Sequence, residues 1–255
     1  MRACEVEDSP KPNEALQPPP AKTARARLSA QVVRLPERGL ETSMKAEDVA
    51  AWYFRLNGFF TITNFVLHPS RRGGQRTDAD IVGVRFPDRA EFPDGPGGDD
   101  QEFIRPSGRL YFVVAESTIG TCKLNGPWTN SDKENIQAVL RDLGVLTPNL
   151  VASAAEGLYG EGVYDARSCY CSLFCVGEVA NGEIAARFSR VPQRTWDQVL
   201  KFMYARFRTY HDRKADHDHW DDNGKALWGC WESSRGSSSA FTSCVRRLSG
   251  LRISA

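Results

Sequence analysis

Apolar positions in this chain cluster into a few runs whose spacing predicts the elements. Val49, Trp52, Tyr53 and Leu56 recur every three or four residues, which predicts a helix over 44–57 with one buried face. Ser43 can cap it, Glu47 and Asp48 lie near its positive end, and Gly58 can close it in a left-handed turn. The run Phe59–Leu67 then reads as a strand, followed by a second over 77–84 and a third over 110–118. Between the last two lies a polar excursion, 88–109, rich in Gly, Pro and Asp and predicted to face solvent. Ile136, Val139, Leu140 and Leu143 form the stripe of a helix over 132–143, capped by Asn130 or Ser131 and ended by Gly144. The order helix, strand, strand, strand, helix fits an α/β sheet.

Further along, Cys169, Cys171 and Cys175 share one face if 168–177 is a strand, and they read as buried thiols rather than as a zinc site. A helix over 195–212 carries Trp196, Val199, Leu200, Met203, Phe207 and Tyr210 on one stripe, with Lys201, Arg206 and Arg208 outside it. Core packing, rather than base stacking, is the expected use of that stripe. His211, His217 and His219 follow among five aspartates. A charged loop is the expected reading there, and a metal site is the alternative.

The chain therefore divides into a disordered Pro- and Arg-containing arm (1–41), one globular domain (42–232) and a Ser/Gly-rich, then basic, tail (233–255). The tail is expected to be loosely ordered, with a short strand over 248–253. A formal net charge of +1 across 255 residues provides no global field toward nucleic acid, so any such contact needs a local patch. Arg71, Arg72 and Arg76, with Gly73 and Gly74 between them, offer one: a basic loop that either holds a phosphate backbone or is simply exposed. There is no apolar run of membrane-spanning length and the first residues do not resemble a secretory signal. Seven cysteines then read as reduced intracellular thiols, and the expected compartment is cytoplasmic.

Two carboxylates stand at the ends of the second and third strands, Asp80 and Glu116. Paired carboxylates on neighbouring strands suit a divalent cation, which prefers hard oxygen ligands. With Glu47 on the first helix and Gln137 on the helix after the third strand, this order resembles the PD-(D/E)XK phosphodiesterase superfamily, the restriction-endonuclease-like fold. The resemblance covers roughly residues 44–144, with 145–232 as a C-terminal extension that adds helices. Asp80-Ile81-Val82-Gly83-Val84 is similar to the family's Asp motif and Val113-Val114-Ala115-Glu116 to its Glu motif. Glu47, eleven residues before Gly58, is similar to a first-helix Glu.

The resemblance implies a mixed central sheet flanked by helices and a Mg²⁺- or Mn²⁺-dependent endonuclease acting on nucleic acid, with double-stranded DNA expected. It implies that Glu47, Asp80 and Glu116 hold the metal and that Gln137 belongs to the catalytic set. A homodimer is one assembly open to such a protein. The chain departs from the family where a lysine is expected two residues after Glu116, because Thr118 stands there. The Thr118 hydroxyl can orient water but carries no charge, whereas Lys123, beyond Gly120, is a candidate to supply the missing ammonium. The alternative is a degenerate nuclease-fold protein that binds nucleic acid or a protein partner without cutting.

Overall fold

A computed structural model describes residues 44–68, 76–89, 91, 98–104, 108–211 and 220–252, all within one unit, Gly39–Ala255. The first helix, α1 (Ala46–Leu56), starts after Lys45, whose N–H donates to the Asp48 carboxylate at 2.8 Å. It ends where Gly58 takes φ +82°, the left-handed conformation that a residue with a Cβ resists. The predicted cap Ser43 lies outside the described residues. Burial runs almost all the way round α1, rather than along one stripe, with Val49, Ala50, Tyr53 and Phe54 fully enclosed. Other helices cover the side of α1 that faces away from the sheet.

Strands β1 (Phe59–Leu67), β2 (Thr77–Arg85) and β3 (Leu110–Ser117) form an antiparallel meander, with Ile62 opposite Val82 and Ile81 opposite Ala115. The short helix α2 (Gln101–Ile104) lies in the β2–β3 connection. That connection is not simply a solvent-facing excursion, because Asp99 and Phe103 are both buried. After β3 come α3 (Gly126–Thr129), a 3-10 turn at Ser131–Lys133, and α4 (Asn135–Asp142). The single helix expected over 132–143 is thus interrupted at Glu134, which has φ +49°.

Next are α5 (Pro148–Glu161), β4 (Val163–Asp165) and β5 (Cys169–Gly177). β5 pairs in parallel with β3 along its length, and α4 and α5 supply the crossover that a parallel pair requires. β4 runs antiparallel to the first half of β5 on its other side. After α6 (Gly182–Arg187), β6 (Gln193–Thr195) runs parallel to the last residues of β5. The chain closes with α7 (Trp196–His211), α8 (Asp222–Ser233) and α9 (Ser238–Ser249). The result is an α/β arrangement: a mixed six-stranded sheet in the order β1-β2-β3-β5-β4, with β6 beside β5 and helices on both faces.

Each face has its own core. α1, α7, α8 and α9 enclose an aromatic one, including Tyr53, Phe54, Phe103, Tyr111, Phe174 and Trp196. α4 and α5 enclose the other, in which Cys169, Cys171 and Cys175 sit on one face of β5 as free, buried thiols, as the sequence predicts. The remaining thiols are not all reduced, because Cys230 on α8 is joined to Cys244 on α9. That bond, the Ser237 cap on the Ala240 N–H and the burial of Phe241 and Val245 make the expected loose tail a packed helix. Arg206, expected on the outer side of α7, is also buried.

Candidate functional site

The acidic residues lie where the β1–β2–β3 meander changes face. The β1–β2 pairing continues in register past Asn64, with Thr63 opposite Ile81 and Phe65 opposite Ala79. Residues two apart on a strand normally share a face. Here Ile81 belongs to the aromatic core while Ala79 belongs to the α4–α5 core, and Phe59 and Phe65 divide in the same way. Asn64, at φ +52°, absorbs the turn, a conformation that Asn tolerates better than most residues. Asp80 stands opposite this pivot. Extending the β2–β3 register one step beyond Ile81–Ala115 places Asp80 directly across from Glu116.

Each carboxylate is held by its neighbours. Asp80 Oδ2 accepts the Ser117 N–H at 2.8 Å and the Ser117 hydroxyl at 3.3 Å. Glu116 is buried; its Oε1 accepts the indole N–H of Trp128 at 2.6 Å and its Oε2 accepts the Asn125 amide. Those donors come from the turn after β3, which presses closely on the end of β5. A Cβ on Gly177 would stand 2.7 Å from the Gly120 carbonyl oxygen, so only glycine lets the turn settle there.

Burial pushes the Glu116 carboxyl up to about 8, the nearby Asp80 charge pushes the same way, and the Trp128 hydrogen bond opposes both. Asp80 is also raised, first by burial, against the Ser117 amide, with the charge of Glu47 adding to the rise. Glu47 itself is ion-paired with Lys45 at 3.3 Å. Glu47, Asp80 and Glu116 therefore lie close enough for charge to act from one to the next. Among the described residues, however, no group of three His, Cys, Asp or Glu side chains is gathered tightly enough to hold a metal ion.

The other predicted site residues are placed differently. The Thr118 hydroxyl oxygen accepts the Gly120 N–H at 3.2 Å, and its carbonyl accepts the Trp196 indole at 2.8 Å, so this residue builds the turn. Lys123 is exposed, and no hydrogen bond or ion pair joins its ammonium to Asp80 or Glu116 among the described residues. Among the described residues, the side-chain carbonyl of Gln137 on α4 is buried without a hydrogen-bond partner and bonds to neither carboxylate. Arg76 is exposed, and its N–H donates to the Leu67 carbonyl where β1 gives way to β2. Arg71, Arg72, His217 and His219 lie outside the described residues.

Sequence reasoning did not assign roles to Ser117, Asn125 and Trp128. Some signal for Trp128 was present, since an indole in a Gly-Pro turn just past an acidic strand end is well placed to reach back. In comparisons with known proteins, the chain matches no family model, no curated protein and no solved structure.

The Glu116 site carries a pH signature. Its folded value, about 8, lies above the ordinary 4.5, so between these limits the folded protein holds a proton that the unfolded chain has released. Stability is expected to fall as pH rises through that window and to level off above it. Glu116→Gln, neutral throughout, is expected to remove that slope and to be the more stable of the two at pH 8. Thermal midpoints at several values between pH 5 and pH 8.5 check this. Equal slopes in both proteins would place the pH dependence elsewhere.

Proposed function

We propose that this chain is a nuclease-fold phosphodiesterase that takes a divalent cation and a DNA phosphate at Asp80 and Glu116 and hydrolyses the phosphodiester bond. The observation that carries this reading is the placement of the two carboxylates across adjacent antiparallel strands, each raised by burial, with Glu47 adding its charge. The mixed sheet flanked by helices, with Glu47 on the helix that precedes the meander, accords with a restriction-endonuclease-like core.

The donor set suits Mg²⁺ or Mn²⁺, which one or two carboxylates hold while phosphate oxygens and water complete the shell. Asp80 Oδ1 has no hydrogen-bond partner among the described residues and points to the role of first ligand. Asn125 and Trp128 leave each Glu116 oxygen a further lone pair and fix the carboxylate in place. A bound cation would polarise the phosphate and acidify an attacking water. Ser117 orients Asp80, and Glu47 supplies a further carboxylate from α1. The exposed Arg76, with Arg71 and Arg72 in the same loop of the sequence, would meet phosphates irrespective of base.

A second reading is a nuclease-fold protein that binds DNA without cutting it. It is favoured by one observation: Thr118 is engaged in the turn and, among the described residues, no ammonium bonds to either carboxylate. Nicking of supercoiled plasmid with Mg²⁺ or Mn²⁺ separates the two readings. Metal-dependent nicking by the wild type, lost in Asp80→Ala and Glu116→Ala, supports the phosphodiesterase. Its loss in Lys123→Ala as well would bring that lysine into the reaction despite its exposure. An inert wild type that still shifts DNA on a gel supports the binding protein.

A further inference from the structure

Among the described residues four cysteines are free, and they fall into two groups along the sheet. Cys169 and Cys171 open β5, whereas Cys175, with Cys122 near it, lies toward the other end, directly beside Glu116. Cys169 and Cys171 project from one face of the strand into the core under α4 and α5. Their neighbours across the sheet are Leu110 and Phe112 of β3 and Tyr164 of β4. The two sulfurs lie close enough to share a hydrogen bond, and Arg109 is near enough for its charge to act on Cys169.

Residues two apart on a strand stand about 6.6 Å apart with their side chains parallel. A disulfide needs Cβ atoms about 3.5–4.5 Å apart, so this pair cannot close one without bending β5. An ion seated between the sulfurs spans the gap, since two metal–thiolate bonds of about 2.3 Å in line reach about 4.6 Å. Zinc takes four ligands and iron–sulfur clusters four cysteines, whereas among the described residues no third His, Cys, Asp or Glu joins this pair. Of the soft ions that thiolates select, Cu(I) is the one content with two. We propose that Cys169 and Cys171 form a two-coordinate site for Cu(I). Each thiol gives up its proton on binding, so one Cu(I) enters, two protons leave, and the resulting single negative charge faces Arg109. The apolar walls keep water from the ion, and Cys169, beside the exposed Arg167 and Ser168, marks its way in. Six residues of β3 separate this pair from Glu116, about 20 Å, so the site does not rest on the phosphodiesterase reading.

Anaerobic titration of the full chain against the Cu(I)–bicinchoninate complex, with ascorbate as reductant, tests the proposal. The wild type is expected to withdraw one Cu(I) per chain, and X-ray absorption to show two sulfur neighbours without nitrogen or oxygen. Cys169→Ser and Cys171→Ala are expected to bind at least about 100-fold more weakly, beyond the 10–100-fold typical of losing a residue that only supports a ligand. Cys169→Ser lies at the outer end of the strand and decides the matter should Cys171→Ala fail to fold. Cys175→Ser is expected to bind as the wild type does. Cu(I) at a hundredfold excess over its Kd is expected to raise the wild-type thermal midpoint by roughly 5 °C, which thiols exposed only on unfolding would not do. A wild type that takes no Cu(I) from the complex would overturn the proposal. So would a Cys169→Ser protein that binds as tightly, or a loss of binding in Cys175→Ser.

Discussion

Asp99→Ala is expected to destabilise the fold by about 3–5 kcal/mol, the usual cost of removing one partner from a buried ion pair. The Asp99 side chain is fully buried and serves three guanidinium groups at once. It accepts from Arg85 at 2.8 Å, from Arg89 at 2.7 Å and from Arg206. Arg85 in turn donates to the Asn57 carbonyl at 3.0 Å and the Phe103 carbonyl at 3.1 Å, tying the end of α1 to β2 and α2. Arg206 reaches the cluster from α7 with its side chain 1% exposed. Without Asp99, Arg89 and Arg206 keep Glu91 as a shared partner, but Arg85 loses its carboxylate and the central charge is lost from a buried position.

At roughly 2–4 °C per kcal/mol for a domain of this size, the thermal midpoint is expected to drop by about 10 °C. Asp99→Asn is expected to fall nearly as far, since an amide keeps the shape without the charge. Arg235→Ala provides the contrast. Its pair with Glu232 is about half exposed on both sides, and its loss is expected to cost no more than about 0.5 kcal/mol. A drop of under 1 kcal/mol for Asp99→Ala by urea titration would remove the cluster from its place as the junction of α1, β2 and α7.

Thr118→Lys is expected to raise metal-dependent plasmid nicking by about 10²-fold, if Asp80 and Glu116 act as proposed. Residue 118 follows Glu116 by two positions, and its N–H continues the β3–β5 ladder to the Val176 carbonyl at 3.0 Å. In an extended strand this places its side chain on the same side as Glu116. A cation there would meet the charge that develops on a phosphate under attack, and a single well-placed donor of this kind is worth about 10²–10³ in rate. The cost to the fold is small, because the Thr118 hydroxyl contributes one hydrogen bond to the turn while its backbone contacts remain. Single-turnover nicking rates of the wild type, Thr118→Lys and Thr118→Lys/Asp80→Ala make the comparison. A gain that persists without Asp80 would come from DNA binding alone. No gain at all would favour a protein whose acidic pair does not cut.

The elements with strong contrast between apolar and polar positions were legible in the sequence: α1, the three strands of the meander, β5, α4 and α7. α5 was not, because its buried stripe relies on Ala154 and Ala155, small residues that barely stand out from their neighbours. α9 was hidden by Ser, Gly and Arg, although Phe241, Val245 and Leu248 keep a helical spacing beneath that composition. The stretch 88–109 misled through its glycines and prolines. What anchors it is a buried carboxylate, Asp99, that holds Arg85 and Arg89 together with Arg206, more than a hundred residues away. At the candidate site, the acids were legible because strand ends can be counted. The Asn125 and Trp128 contacts were not, since they depend on how the turn folds back over β5.

The place of β5 within the sheet affects how the chain is made. β1, β2 and β3 follow one another in sequence, joined by connections of 9 and 24 residues (68–76 and 86–109), whereas β5 must return to β3 across about fifty intervening residues. During synthesis, then, the meander can form well before its neighbour emerges from the ribosome. Until residue 177 is clear of the exit tunnel, the run Tyr111-Phe112-Val113-Val114 presents a bare apolar edge. The nascent chain is most open to chaperones, and to mispairing with neighbouring chains on a polysome, in that interval; insertion of β5 closes it.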